Sequence, residues 1–299
     1  MCDEKSNRDI EDYYRRNKIS RRDFGRISMG AALAMALPLS ACAGDGQKVV
    51  ASNVNIKTPD GEADAYFVHP AEGRHPAVVM WPDIFGMRPA FRQMGKRLAE
   101  AGYAVLVVNP YYRNTHKQLV PDDATVIDPE LRQKIWPRAR ELAGTLSPQT
   151  CVTDGRAFIA FLDKQPSVDT ARKAGVMGYC MTGSYAFRMA ADMPARIGAG
   201  ASFHGGGLVT DKPDSPHLLI PRIKADFLVA IAANDDERDP KAKDVLREAF
   251  DRADASAEIE VYPGTLHGWC PPDSAAYNPA QAERAWGQML QLFARTLNT

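Results

Sequence analysis

The sequence predicts an α/β fold, a mainly parallel sheet with helices on both faces. Three observations carry this. Short, continuous apolar runs such as HPAVVMWPD and YAVLVVNP have the character of strands buried on both faces. Stretches with helical spacing, such as PAFRQMGKRLAEAG, alternate with those runs along the chain. No internal repeat and no low-complexity linker interrupts the alternation.

The N-terminal residues stand apart. We read 1–45 as an export segment and linker, and 46–299 as one folded domain. Arg21 and Arg22 form a pair followed by Phe24, and an apolar stretch runs from Ile27 to Leu39. That stretch is short for a bilayer span, and small residues close it. The layout resembles a twin-arginine export signal, which makes the twin-arginine machinery a partner and the periplasmic side the destination. Ala41-Cys42-Ala43 fits small-x-small cleavage, which would release a soluble protein. Leu39-Ser40-Ala41-Cys42 fits a lipobox, which would leave a lipid anchor on Cys42. A buried amphipathic N-terminal helix is the alternative to both.

The domain opens with VVASNVNIKT and ADAYFVHP around the turn signal PDGE, an antiparallel hairpin. The strand HPAVVMWPD ends at Asp83. A helix follows, with Phe91, Met94, Leu98 and Ala101 on its apolar stripe, and then the strand YAVLVVNP. Residues 111–144 are polar and irregular, with a helix starting after Asp128; long insertions of this kind often form lids. QTCVTDGRAFIAFLDKQ is helical and places Cys151 in or beside the core. KAGVMGY is the strand before Cys180, and SYAFRMAADM the helix after it. Next come a strand ending at His204, a strand running into the acidic loop NDDERD, the helix KAKDVLREAFDRA, the strand and loop AEIEVYPGTLHGW, and a last helix over PAQAERAWGQMLQLFARTL.

Composition leaves function open. The 299 residues carry 37 basic and 37 acidic side chains, so charge alone gives no reason to expect a nucleic-acid or anionic-membrane partner. The five cysteines form no C-x-x-C pair and no zinc-type cluster. The odd count leaves at least one thiol unpaired, and Cys180 is the leading candidate.

Cys180 lies between Gly178 and Gly183 where a strand turns sharply into a helix. Such a turn strains the nucleophile's backbone, exposes its sulfur, and points a helix N-terminus at it. Asp235 follows a later strand and His267 the last one, at separations of 55 and 32 residues. Nucleophile, acid, histidine is the order of an α/β-hydrolase. His267 can take the thiol proton and Asp235 can orient it, with Asp236 as the alternative acid. The Met181 N–H is placed to donate to an oxyanion.

From Val49 onward the chain resembles the dienelactone hydrolase family. The landmarks are Gly178-Tyr179-Cys180, the PDIFGM stretch holding Asp83 to Gly86, Tyr111-Tyr112-Arg113, Asp235 and His267. The resemblance implies an α/β-hydrolase that cleaves lactones or related esters with no cofactor and no metal. It implies an oxyanion hole from the N–H groups of Ile84 and Met181. It also implies a carboxylate at Asp83 near the resting thiol and a substrate-binding Arg113. The chain departs from the pattern in three places: Asp83 stands where Glu is frequent, Pro271 where a second arginine is expected, and Thr182 where the elbow has glycine.

Simpler readings stand beside several of these residues. Asp83 could cap the following helix, Arg113 could make an ordinary ion pair, and His204 could be satisfied by backbone. Cys270 could be a packed thiol or a redox partner of Cys180. Two other functions compete with the hydrolase: a thiol redox or peroxide-reactive protein, and a noncatalytic ligand-binding protein on a hydrolase scaffold.

Overall fold

Apolar side chains along the central strands alternate between two helical layers, and this alternation organises the protein. The computed structural model describes residues 47–298 together with Asp9 and Asp12. Arg21, Arg22, the apolar stretch 27–39 and Cys42 lie outside the described residues. The elements are β1 (Val49–Thr58), β2 (Gly61–Pro70), β3 (Ala77–Trp81), α1 (Pro89–Glu100), β4 (Ala104–Val108), α2 (Pro129–Ala143), α3 (Pro148–Leu162), β5 (Ala174–Tyr179), α4 (Gly183–Asp192), β6 (Ile197–Phe203), β7 (Asp226–Ala232), α5 (Ala233–Arg238), α6 (Ala242–Arg252), β8 (Ala257–Tyr262) and α7 (Pro279–Leu297). Short 3₁₀ turns span Cys180–Thr182 and Pro216–Arg222.

The eight strands form one sheet in the order β1-β2-β4-β3-β5-β6-β7-β8. The β1–β2 and β2–β4 pairs are antiparallel, and every pair from β4 to β8 is parallel. This is the α/β-hydrolase architecture expected from the sequence. Along β3, Val79 and Trp81 face one side while Val78 and Met80 face the other. The first side packs against α3, α4 and α6 through Phe158, Phe187 and Phe250. The second packs against α1 and α7 through Phe91, Leu98, Met289 and Phe293.

Two local expectations need correction. Ala101 is exposed, one residue past the end of α1, and Ala99 takes its place on the buried stripe. The acidic run 234–239 is not a loop: most of it belongs to the short helix α5, which opens directly from β7. Within the irregular insertion, Asp128 caps α2 by accepting from the Leu131 N–H, and Pro129 sits in the first turn, where a missing N–H costs nothing.

Register brings the strand ends into line. Trp81 pairs with Gly178, Tyr179 with Phe203, Phe203 with Ala230, and Ala232 with Tyr262. Asp83, Cys180, His204, Asp235 and His267 all follow these positions and so emerge at one edge, where open α/β sheets collect their ligands. The insertion covers that edge: Ile127, Ile135 and Trp136 pack with Ile84 and Phe85 in a small separate core.

Candidate active site

The turn after β5 has no room for side chains at its glycines. A Cβ on Gly178 would overlap the Thr182 carbonyl, and one on Gly183 would lie 2.6 Å from the Gly205 Cα. Between them Cys180 holds a φ of 58°, a left-handed conformation that costs a non-glycine residue free energy and concentrates at functional sites. Thr182 fixes the turn from inside. Its buried hydroxyl accepts from the Tyr179 N–H at 2.9 Å, and the carbonyls of Trp81 and Pro82 lie within donating distance at 3.0 and 2.8 Å. The elbow is thereby tied to the end of β3 and to the segment that carries Ile84.

Cys180 Sγ lies 3.2 Å from His267 Nε2, and His267 Nδ1 lies 2.7 Å from Asp235 Oδ2. With Nδ1–H donating to the carboxylate, Nε2 is left with a lone pair toward the sulfur. Burial pushes the Asp235 carboxyl up, but the charge and hydrogen bond of His267, helped by His204 and Arg238, outweigh it and hold the group below its ordinary value. Asp236 instead turns to Lys243, with both carboxylate oxygens within 2.7 Å of Nζ. Asn234 Oδ1 accepts from the His267 N–H at 2.8 Å, which fixes the backbone of that loop. Cys180 is disulfide-bonded, whereas Cys151 and Cys270 are buried free thiols. The sequence-based choice of Cys180 as the unpaired thiol therefore does not hold for this state, and Cys270 is not its partner.

A small cavity opens over the sulfur, and Asp83, Ile84, Cys180, His204 and His267 all line it. Asp83 is committed elsewhere within that wall. Its Oδ1 accepts from the Phe85 N–H at 2.9 Å and from Arg88 Nη1 at 2.7 Å, and its Oδ2 from Arg88 Nη2 at 2.9 Å. It does not cap α1, whose N-cap residue is Arg88. The fully buried Arg88 also binds Asp273 through Nε at 2.6 Å and Nη2 at 3.0 Å. Burial opposes its charge, but the two carboxylates prevail and hold the guanidinium above its ordinary value. This pairing joins the Ile84 loop to the loop after His267.

Arg113 is not among the residues lining the cavity. Its guanidinium bonds Asp60 and Asp154, each at 2.6 Å, which is the ordinary ion-pair reading of that residue. The cavity contains a different arginine, Arg132 of α2, whose guanidinium lies 5.1 Å from the centroid of Phe85 and 4.8 Å from that of Trp136. Burial pushes its pKa down to about 10, with Asp83 acting in the opposite direction. Arg88, Asp273 and Arg132 escaped the sequence reading because arginines and acids in loops have no periodic signature. Only the chain's convergence makes them neighbours. Among the described residues no cluster of three or more His, Cys, Asp or Glu side chains could hold a metal ion.

Sheet order, elbow and histidine–acid pair place the chain in the α/β-hydrolase class. More narrowly, residues 63–297 match the dienelactone hydrolase family, and the chain belongs to it. It is thus an enzyme of the ester- and lactone-hydrolysing kind. A Methylorubrum extorquens protein named as a carboxymethylenebutenolidase is 26% identical over 294 residues, covering 95% of this chain and 96% of its own. A Bradyrhizobium protein named as a 2-oxo-3-(5-oxofuran-2-ylidene)propanoate lactonase is 25% identical, covering 79% of this chain and 91% of its own. The fold is also that of a Klebsiella pneumoniae structure named as a dienelactone hydrolase (TM-score 0.71, 24% identity, 83% of this chain and all of that one). A dienelactone hydrolase-like promiscuous phosphotriesterase from metagenomic libraries has the same fold (TM-score 0.67, 21% identity, 83% and 99% covered).

Proposed function

We propose that the chain hydrolyses an ester or lactone through a Cys180–His267–Asp235 triad and an acyl-thioester. The observation that carries this is the unbroken line Sγ, Nε2, Nδ1, Oδ2, with contacts of 3.2 and 2.7 Å at its two ends. His267 takes the proton of the reduced thiol as sulfur attacks the acyl carbon. The N–H groups of Ile84 and Met181 receive the oxyanion. Collapse of the tetrahedral species expels the alcohol, which takes the proton back from His267. Water, deprotonated by the same histidine, then attacks the thioester, releasing the acid and restoring the thiol. Asp235 keeps the imidazole in the required tautomer throughout.

In this reading Asp83 acts through Arg88, holding the Ile84 loop in place, and does not touch the thiol. A carboxylate on the substrate would meet Arg132, which lines the cavity beside the Asp83- and Asp273-bound Arg88, in the role the resemblance gives to Arg113. The test is turnover of a panel of short esters and lactones by protein reduced with dithiothreitol. Turnover abolished in Cys180→Ala supports the reading, and turnover retained in a folded Cys180→Ala protein refutes it.

We also propose that residues 1–45 direct export through the twin-arginine route, with Cys42 either lipidated or removed. The support is the pattern Arg21-Arg22 followed by an apolar stretch and small residues. Fractionation of native cells expressing the Arg21→Lys, Arg22→Lys chain is expected to leave the precursor in the cytoplasm. Mass spectrometry of the mature protein separates a diacylglyceryl-modified Cys42 from cleavage after Ala43, and full-length unprocessed protein excludes both.

A further inference from the structure

His204 lines the site and has no part in the mechanism above. Its side chain is buried, and neither ring nitrogen has a hydrogen-bond partner. A buried polar group left unsatisfied is costly, and native proteins retain few of them. Its backbone is also strained, with a φ of 40°. The strained residue is held from both sides: its N–H donates to the Ala230 carbonyl at 2.8 Å, and the Gly206 N–H donates to the carbonyl of Cys180 at 3.1 Å. The ring is therefore built into the cavity wall beside the nucleophile, and its nitrogens are unused by the protein.

The sheet order says which part of a substrate it meets. The strands run β3-β5-β6-β7-β8, so Cys180 after β5 lies between the Ile84 loop after β3 and His204 after β6. An acyl oxygen drawn toward the Ile84 and Met181 N–H groups points to the β3 side. The leaving oxygen must point toward His267, which returns its proton. His204 is on that second side, its ring edge-to-face with His267 at 5.0 Å between centroids. Burial, and then the nearby charge of His267, hold His204 well below its ordinary pKa, with Asp235 opposing. A neutral imidazole offers one N–H donor and one lone pair.

We propose that His204 hydrogen-bonds a hydroxyl or carbonyl oxygen on the alcohol portion of the substrate, making the enzyme selective for polar leaving alcohols. This rests on the hydrolase reading above. The experiment compares the 2-hydroxyethyl and propyl esters of one acid, which differ by a hydroxyl in place of a methyl, using reduced protein. A neutral hydrogen bond is worth about 1 kcal/mol, so kcat/KM is expected to favour the hydroxyethyl ester by roughly five- to tenfold. In His204→Phe, which keeps a flat ring without donor or acceptor, that ratio is expected to fall to near one. The ratio cancels any loss common to both esters. His204→Asn supplies a second variant whose residue tolerates the left-handed backbone but is too short to reach the same atom; its ratio is also expected to fall. A wild-type ratio near one, or an unchanged ratio in either folded variant, overturns the assignment of His204 while leaving the triad standing. Turnover of both esters that survives Cys180→Ala overturns the triad reading and this one with it.

Discussion

At the scale of single residues the proposed mechanism separates groups that react from groups that hold them. Cys180→Ala is expected to abolish turnover with an unchanged circular dichroism spectrum, since the sulfur faces a cavity and its loss removes little packing. His267→Gln is expected to lower kcat by about 10²–10⁴-fold, the usual worth of a positioned acid–base group. Asp235→Asn should approach that loss because Asn can leave the imidazole in the wrong tautomer. Asp236→Asn should leave kcat near wild type, because Asp236 serves Lys243. Steady-state kinetics of the pair decide between the two acids. Asp235 also predicts a pH dependence of stability. Its folded pKa is depressed, so the contribution is present above the ordinary carboxylate range and is lost as pH falls through the depressed value. The stability gap between wild type and Asp235→Asn, measured by urea unfolding, should therefore be wide at neutral pH and close in acid.

The elements show why the elbow has its shape. Four residues, Gly178 to Gly183 with Cys180 and Thr182 between, need two missing side chains, one strained φ and one buried hydroxyl. Thr182→Val keeps the volume and removes the hydroxyl, leaving the Tyr179 N–H without its acceptor. A buried group unsatisfied in this way costs about 1–3 kcal/mol. The same change frees the Pro82 segment that carries Ile84, so kcat should fall more than KM rises. Thermal unfolding and kinetics on one preparation test both halves, and a destabilised enzyme with unchanged kcat would separate the hydroxyl from catalysis. The elbow was legible in the sequence because it is local: glycine spacing and an apolar run suffice to place it. Thr182 stood out only as a departure from glycine, since its partners Trp81 and Pro82 are about a hundred residues away in the chain. For the same reason the acids after β7 were read as loop: a helix as short as α5 has too few residues to show a period.

On the scale of the whole molecule, the alternation of strands and helices and the helix faces followed from periodicity, while the tertiary partners of long charged side chains did not. Arg113 shows the difference. It follows Tyr111-Tyr112 as the family pattern has it, yet its guanidinium joins Asp60 in the β1–β2 turn to Asp154 of α3, and Tyr112 donates to the same Asp154 at 2.8 Å. Asp154 is almost fully buried, and burial, opposed by Arg113 and Tyr112, leaves its carboxyl above the ordinary value. Removing the guanidinium leaves that carboxylate with only the tyrosine hydroxyl and unlinks the hairpin from the insertion and α3. Arg113→Met is therefore expected to cost roughly 1–3 kcal/mol of stability, the penalty for stranding a buried acceptor, and to leave the preference for an acidic substrate over its methyl ester unchanged. Arg132→Met should behave in the opposite way. Its guanidinium stacks on Phe85 and Trp136 at the cavity wall, so its loss should reduce the acid-to-ester ratio of kcat/KM by roughly tenfold or more, the worth of a charge-assisted hydrogen bond. The measurement is that ratio in the two variants beside their urea midpoints. If the ratio moved with Arg113 and not with Arg132, the insertion would have to rearrange on binding so that Arg113 leaves both carboxylates and enters the cavity.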